Sequence, residues 1–257
     1  MRIFSLILFS LFISCSHTKK YSQPREGVQQ YSYYDVSGKF VLIREHKTEK
    51  NKLITRTLLS DNESGTSKVL EKSITVTELG TVQSQAGRLQ VSRPLASDFT
   101  VWLEGKKYQS TMRLSEKEKK LIVELNSPEE KWNGLSKYSF PKGKFFCFFS
   151  QIPDCLHHNS LLKKALEGKQ KGISFHIVWD NYPYIQDQLN GVGLKPFSYA
   201  VLKFEDFDKK NLKYIVEVDG QSVLYHFSPS FDLIRMLWIS QGITVVPPGE
   251  EINSEEQ

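Results

Sequence analysis

Tyr108-Gln-Ser-Thr-Met-Arg-Leu114, the charged turn Ser115–Lys120 and Leu121-Ile-Val-Glu-Leu125 form the stretch that decides the fold. Tyr108, Ser110, Met112 and Leu114 alternate with Gln109, Thr111 and Arg113, and Leu121, Val123 and Leu125 resume the same period after the turn. A period of two puts one set of side chains on a buried face and the other in water, which is the mark of an antiparallel pair with one wet side.

Working outward, the same alternation recurs. Phe99, Val101 and Leu103 lead to Glu104-Gly105, and Tyr214, Val216 and Val218 lead to Asp219-Gly220. Asp-Gly between alternating runs is a strong hairpin signal, because a type I′ turn needs positive φ at both central positions. Val223, Tyr225 and Phe227 then run through Ser228-Pro229-Ser230 into Leu233–Ile239, and Gln241-Gly242 leads into Ile243–Val246. Earlier strands are expected at Asp35–Arg44, Lys52–Leu59, Lys68–Thr77 and Thr81–Val91, with loops at Asp61–Gly65 and around Gly80. The middle of the chain differs. Asn159-Ser160 can cap a short helix over Leu161–Glu167 that Gly168 ends, a helical turn is expected at Pro183–Leu189, and Ile173–Trp179 reads as a strand. The predicted fold is therefore mainly β (β-rich α+β): a curled antiparallel sheet, half-barrel-like, with one or two short inserted helices. It is expected as one domain over residues 31–246, the alternative being a split near Pro128–Gly134.

This order of elements resembles the half-barrel domains of periplasmic lipoprotein carriers and related uncharacterised envelope proteins, in which a curled sheet wraps a helix. The resemblance implies an apolar cup. Met112, Leu114, Val123, Val216 and Val218 would then line its concave face as a ligand cup, with Leu161–Leu166 lying across it as a plug.

The N-terminus concerns location. Arg2 supplies a positive start, Ile3–Ile13 is an apolar run broken only by Ser5 and Ser10, and Ser14 precedes Cys15. This is the pattern of a signal peptide over residues 1–14, and about twenty apolar residues would be needed to span a bilayer. Leu11-Phe12-Ile13-Ser14-Cys15 resembles the lipobox of bacterial lipoproteins, with Phe12 where leucine is usual. The resemblance implies a diacylglyceryl Cys15 as new N-terminus and membrane anchor, and Ser16 after it implies the outer membrane, facing the periplasm. Residues 15–30 then read as the lipidated cysteine and a polar, flexible tether, and 247–257 as an acidic disordered tail.

The chain has 257 residues, a net charge of +5 (one of those charges is Arg2), 39% hydrophobic and 12% aromatic residues. That composition belongs to a globular chain and, lacking a basic cluster interleaved with aromatics, argues against nucleic acid as a partner. A lipid or an envelope protein is the expected partner.

With Cys15 acylated, three cysteines become one pair. Cys147 and Cys155 are expected to form a disulfide, the normal fate of paired thiols in an oxidising compartment, with Ile152-Pro153-Asp154 as the intervening turn. A zinc site would have to recruit the adjacent His157 and His158, and oxidised cysteines do not ligate. His46 reads as part of a charged loop, and His176 and His226 as strand residues. Ser160-Leu-Leu-Lys163 and Ser60-Asp-Asn62 match two penicillin-binding-protein fragments, but in reversed order and with no K-T-G. No cofactor motif is present. The sequence thus supports a non-enzymatic lipoprotein that binds a partner or an apolar ligand. The competing class is an envelope hydrolase, which would need polar groups of shifted pKa converging in one cleft.

Overall fold

The computed structural model describes residues 28–35, 39–61, 68–84, 87–143, 145–168, 172–189, 191–208 and 211–247. The leader, Cys15, tether residues 16–27 and tail residues 248–257 lie outside this set.

The first half of the chain is an eight-stranded antiparallel meander in sequence order. Its strands are β1 (Val28–Tyr34), β2 (Phe40–Glu49), β3 (Lys52–Asp61), β4 (Lys68–Ser84), β5 (Gly87–Leu103), β6 (Lys106–Ser115), β7 (Lys120–Asn126) and β8 (Gly134–Ser139). Tyr108–Leu125 folds as the β6–β7 hairpin, with Met112 opposite Val123 and Leu114 opposite Leu121. Glu104 and Gly105 both take positive φ, 49° and 77°, and so do Asp219 and Gly220, at the same two values. These are the conformations a type I′ turn demands.

The second half is a seven-stranded sheet in the order β15-β14-β13-β12-β11-β10-β9. It contains β9 (Phe146–Phe148), β10 (Ile173–Val178), β11 (Phe197–Asp208), β12 (Asn211–Val218), β13 (Gln221–Phe227), β14 (Leu233–Trp238) and β15 (Ile243–Val245). Among the described residues only β9 and β10 pair in parallel. Parallel neighbours need a crossover. It is supplied by helices α1 (Ile152–His158) and α2 (Leu161–Gly168), and α3 (Ile185–Gln188) follows β10 after the cis Tyr182–Pro183 bond. The two sheets meet at one seam, where Tyr34 N–H donates to Val246 O at 2.8 Å and Val246 N–H to Tyr34 O at 3.1 Å. At the other side β8 and β9 are the terminal strands of their sheets, and rings fill the gap: Phe140 lies 5.5 Å from Phe146 and 6.0 Å from Phe197. The result is mostly β, curled and half-barrel-like, as the alternation predicts.

Four expectations change. Val28–Gln30 belong to β1 and not to the tether, and the first strand of the domain precedes the one expected at Asp35–Arg44. Alternating Tyr31 and Tyr33 in Val28–Tyr34 carry it, while Asp35 Oδ1 accepts from Phe40 N–H at 2.7 Å in the turn. Gly80 lies inside β4, opposite Val91, so β4 and β5 run on past it to Ser84 and Gly87; sheet pairing overrides the local breaker. Ile152–His158 is a helix with Pro153 in its first turn, a position where the missing N–H costs nothing. His46 sits in β2, not in a loop.

The cup is also corrected. Met112 and Val123 are fully buried, with Leu114 beside them, against Phe148 and Val178 of the other sheet. Val216 and Val218 pack separately, against Leu161, Leu162 and Ala165 of α2. All five point inward, and α2 does cover the second sheet, but Met112 and Val123 are buried in one core and Val216 and Val218 in another, with Leu114 partly buried at the edge of the first. Residues of both sheets share the first of these cores, and Tyr184 packs with Phe99, Val101 and Tyr108 of the first sheet, so among the described residues no break at Pro128–Gly134 separates the two halves. Burying each such side chain contributes roughly 1.5–3 kcal/mol.

Cys147 of β9 is bonded to Cys155 of α1, with S–S 2.05 Å and Cα–Cα 5.7 Å. The bond clamps the crossover helix to the strand that precedes it.

Candidate functional site

Cross-strand register assembles the site. Arg44 stands opposite Thr57, Thr57 opposite Ser73 and Ser73 opposite Phe99, making one row across β2 to β5. Leu42, Leu59 and Glu71 form the neighbouring row on the same face. Facing them from the second half are Phe149 and Ser150 in the 3-10 turn after β9, Asp180 and Asn181 after β10, and Tyr225 and Met236 of β13 and β14. Between the two lies a cavity of ≈ 160 Å³ with mainly apolar walls.

One wall is polar. The Asp180 carboxylate is 1% exposed and accepts from Ser150 N–H at 3.1 Å, Ser150 Oγ–H at 2.5 Å and Ser73 Oγ–H at 2.9 Å. Burial pushes its pKa up, against the pull of these three donors. Because Ser73 is on β4 and Ser150 follows β9, the bonds tie the two sheets together at the cavity. Further ties lie along the same interface: Thr77 Oγ1–H donates to Gln151 Oε1 at 2.7 Å, and Ser92 N–H to Asn159 Oδ1 at 2.9 Å.

The cavity shares Tyr33, Arg44, Pro153 and Leu233 with a second, polar pocket of ≈ 190 Å³, which also takes in His46, Asp154, His157, His158 and Asp232. Arg44 forms an ion pair with Asp154 and also donates from Nη2 to Ser150 O at 3.2 Å. His46 Nε2 is 3.4 Å from Asp154 Oδ2. Burial alone would raise the pKa of Asp154, but Arg44 and then His46 and His158 outweigh it and hold the carboxyl well below the usual range. His158 is pushed down by burial, aided by His157 and His46 and opposed by Asp154.

The expected site residues fall elsewhere. Of the five cup residues, Leu114 lines an open groove of ≈ 490 Å³ beside Arg93, Phe140 and Phe146 at the β8–β9 side, and Val218 lines another of ≈ 380 Å³ at the turn between β12 and β13. His157 and His158 do share the polar pocket, with ring centroids 5.5 Å apart, but Cys147 and Cys155 are oxidised. Among the described residues no group of three or more His, Cys, Asp or Glu side chains could hold a metal ion. Sequence reasoning missed Arg44, Ser73, Asp154, Asp180 and Asn181. The available signal was a cation in mid-strand at Arg44 and hydroxyl residues at inward positions, Thr55, Thr57, Ser73 and Thr75.

The chain matches no protein-family model and no curated protein. Among solved structures it is similar to the crystal structure of a beta-barrel-like protein of domain of unknown function DUF1849 from Brucella abortus. That likeness has a TM-score of 0.41 and 9% identity, over 85% of this chain and 93% of that one.

Proposed function

We propose that this protein is a non-enzymatic lipoprotein of the bacterial envelope that holds an apolar ligand between its two sheets. The observation that carries the reading is the lining of the inner cavity: Leu42, Leu59, Phe99, Phe149 and Met236 around ≈ 160 Å³ that adjoins a polar mouth. An apolar void of about 150 Å³ accepts a benzene-sized guest, so this one takes a short segment of acyl chain. Each CH₂ moved from water into it contributes roughly 0.8 kcal/mol. The leader and Cys15 supply the location in this reading: a diacylated cysteine in the outer membrane, with the domain held off on the periplasmic side.

The competing hydrolase needs a nucleophile activated by a base within hydrogen-bond reach. Ser73 and Ser150 both direct their hydroxyls at Asp180, and His46 faces Asp154. Both hydroxyls are held by a buried carboxylate that ties the two sheets together, while the imidazole faces a different carboxylate, so hydroxyl, imidazole and carboxylate do not form one relay, which favours a binding site over a reactive one.

The test is mass spectrometry of protein extracted under native conditions, together with displacement of an environment-sensitive fluorescent fatty acid. Saturable probe binding that is lost in Leu59→Trp, with circular dichroism unchanged, supports the reading. The absence of both a co-purifying lipid and saturable probe binding would overturn it.

A further inference from the structure

We propose that residues 141–143, on the link from β8 to β9, form a strap seated on the His176 ring and released when that ring takes up a proton, so that the β8–β9 side of the protein opens in mildly acidic surroundings. This goes beyond the ligand reading and does not depend on the inner cavity.

The strap is held by packing. Phe140 N–H donates to Lys119 O at 3.0 Å, and after it Pro141, Lys142 and Gly143 make no hydrogen bond among the described residues. A segment without backbone hydrogen bonds belongs to the part of a structure that opens most easily. Close approach is what seats it. A Cβ built on Gly143 would lie 2.5 Å from His176 Nδ1 and 2.6 Å from Cε1, separations that real side chains do not adopt. Gly143 has no positive φ, so it is the ring, and not the backbone conformation, that requires glycine there.

The ring is pinned on its other sides. Phe146 of β9 stacks on it at 5.4 Å with 22° between the planes, and Tyr199 of β11 meets it edge-on at 5.8 Å. Both strands are paired with β10, which carries His176. His176 is 8% exposed, and its Nδ1 is buried without a hydrogen-bond partner among the described residues. Turning the ring over would bring Nε2 to the same edge, so a nitrogen faces the strap in either orientation. A neutral imidazole tolerates this. An imidazolium has N–H on both nitrogens, and a buried charge with no partner is strongly disfavoured.

The surrounding elements supply no counter-charge. Their titratable or charged groups are Lys142 on the strap, Tyr199 on β11 and Lys164 of α2, whose Nζ lies over the Phe145 ring at 5.4 Å, while Cys147 of β9 is disulfide-bonded. Burial alone holds the His176 pKa below its ordinary value. Lifting the strap lets water reach the ring and returns the pKa toward about 6.5, so protons favour the lifted form: the strap is seated above about pH 6.5 and released below it. Phe140 and the strap wall the ≈ 490 Å³ groove together with Leu114 and Phe146, and release widens that groove.

The experiment follows the His176 ring and the Lys142 and Gly143 amides by NMR from pH 8 to 5. All three are expected to titrate together, with a midpoint below 6.5. The lifted population, measured by relaxation dispersion, should rise about tenfold between pH 7.5 and pH 5.5, the factor for a group of pKa about 6.5 in the lifted form and little protonated in the seated one. His176→Phe keeps a flat ring and should leave both amides insensitive to pH. Gly143→Ala should unseat the strap and raise the His176 midpoint toward 6.5; it decides the matter by itself if His176→Phe does not fold. Amides that stay still while His176 titrates, amides that still titrate in His176→Phe, or a His176 midpoint unmoved by Gly143→Ala would overturn the proposal.

Discussion

Tyr34 and Val246 exchange both of their backbone hydrogen bonds, at 2.8 and 3.1 Å, and so join the end of the first strand to the chain just past the last one. Beyond each residue's own strand this pairing holds the N-terminal sheet to the C-terminal sheet along the wall that carries Tyr33 and Val245, both of which line the inner cavity. Val246 is buried as well.

Val246→Pro should therefore open the seam. Proline lacks the N–H that Tyr34 O accepts, and the stranded carbonyl together with lost packing should cost about 1–3 kcal/mol. Urea unfolding would read this as a lower midpoint with little change in slope. A midpoint equal to that of the parent protein would mean that the seam contributes nothing.

The Arg44–Asp154 pair joins β2 to α1 across 110 residues of sequence. Asp154→Ala leaves the Arg44 guanidinium buried without its carboxylate, and breaking such a pair costs about 3–5 kcal/mol. Arg44→Met with Asp154→Leu removes both charges and should recover most of that loss. A double variant no more stable than Asp154→Ala would show that the pair's charge is not what matters.

Stability should fall on acidification in two steps. His158 and His176 are both held below the ordinary histidine pKa by burial. They resist protonation when folded, so their contribution is present above about pH 6.5 and is lost as pH drops below it. Asp154, also depressed in the folded state, contributes above about pH 3.9 and loses that contribution as pH falls through its folded value. Asp180, raised by burial, has the opposite sign: its contribution is present at low pH and declines as pH rises. Chemical denaturation from pH 8 to 3 should show the first loss reduced in His158→Gln. In Asp154→Asn the second loss should shrink.

Cys147 and Cys155 should read as one disulfide in protein purified from cells and denatured without reductant. Replacing both with serine removes a short closed loop and should cost roughly 2.5 kcal/mol on the chain-entropy view. Two free thiols in the unreduced parent would contradict the bond.

Cys15→Ser should abolish incorporation of labelled fatty acid and release the protein from the membrane pellet, since acylation at that sulfur is the expected anchor. Continued labelling of the variant would show that Cys15 is not the acylated residue.

What the sequence determined by itself was everything carried by neighbours along the chain. Alternation at Tyr108–Leu125 and the turn chemistry of Glu104-Gly105 and Asp219-Gly220 were enough for the hairpins. The apolar spacing of Leu161, Leu162, Ala165 and Leu166 and the stop at Gly168 were enough for α2, although Asn159 closes α1 and gives its side chain to Ser92 and Cys155 instead of capping α2, and two nearby cysteines with a turn between them were enough for the pair Cys147 and Cys155. These signals are local because a β-turn or a helix end is settled by a few consecutive φ and ψ values. Tertiary structure decided the rest. Alternation says that Met112 and Val216 face inward, but not that each meets a filled core while Leu42 and Leu59 face a cavity. Which inward side chains find neighbours depends on how two sheets curl toward each other. Asp180 shows it most plainly: its partner Ser73 lies 107 residues away, and no local pattern marks two residues whose only relation is that folding removes both from water at the same place.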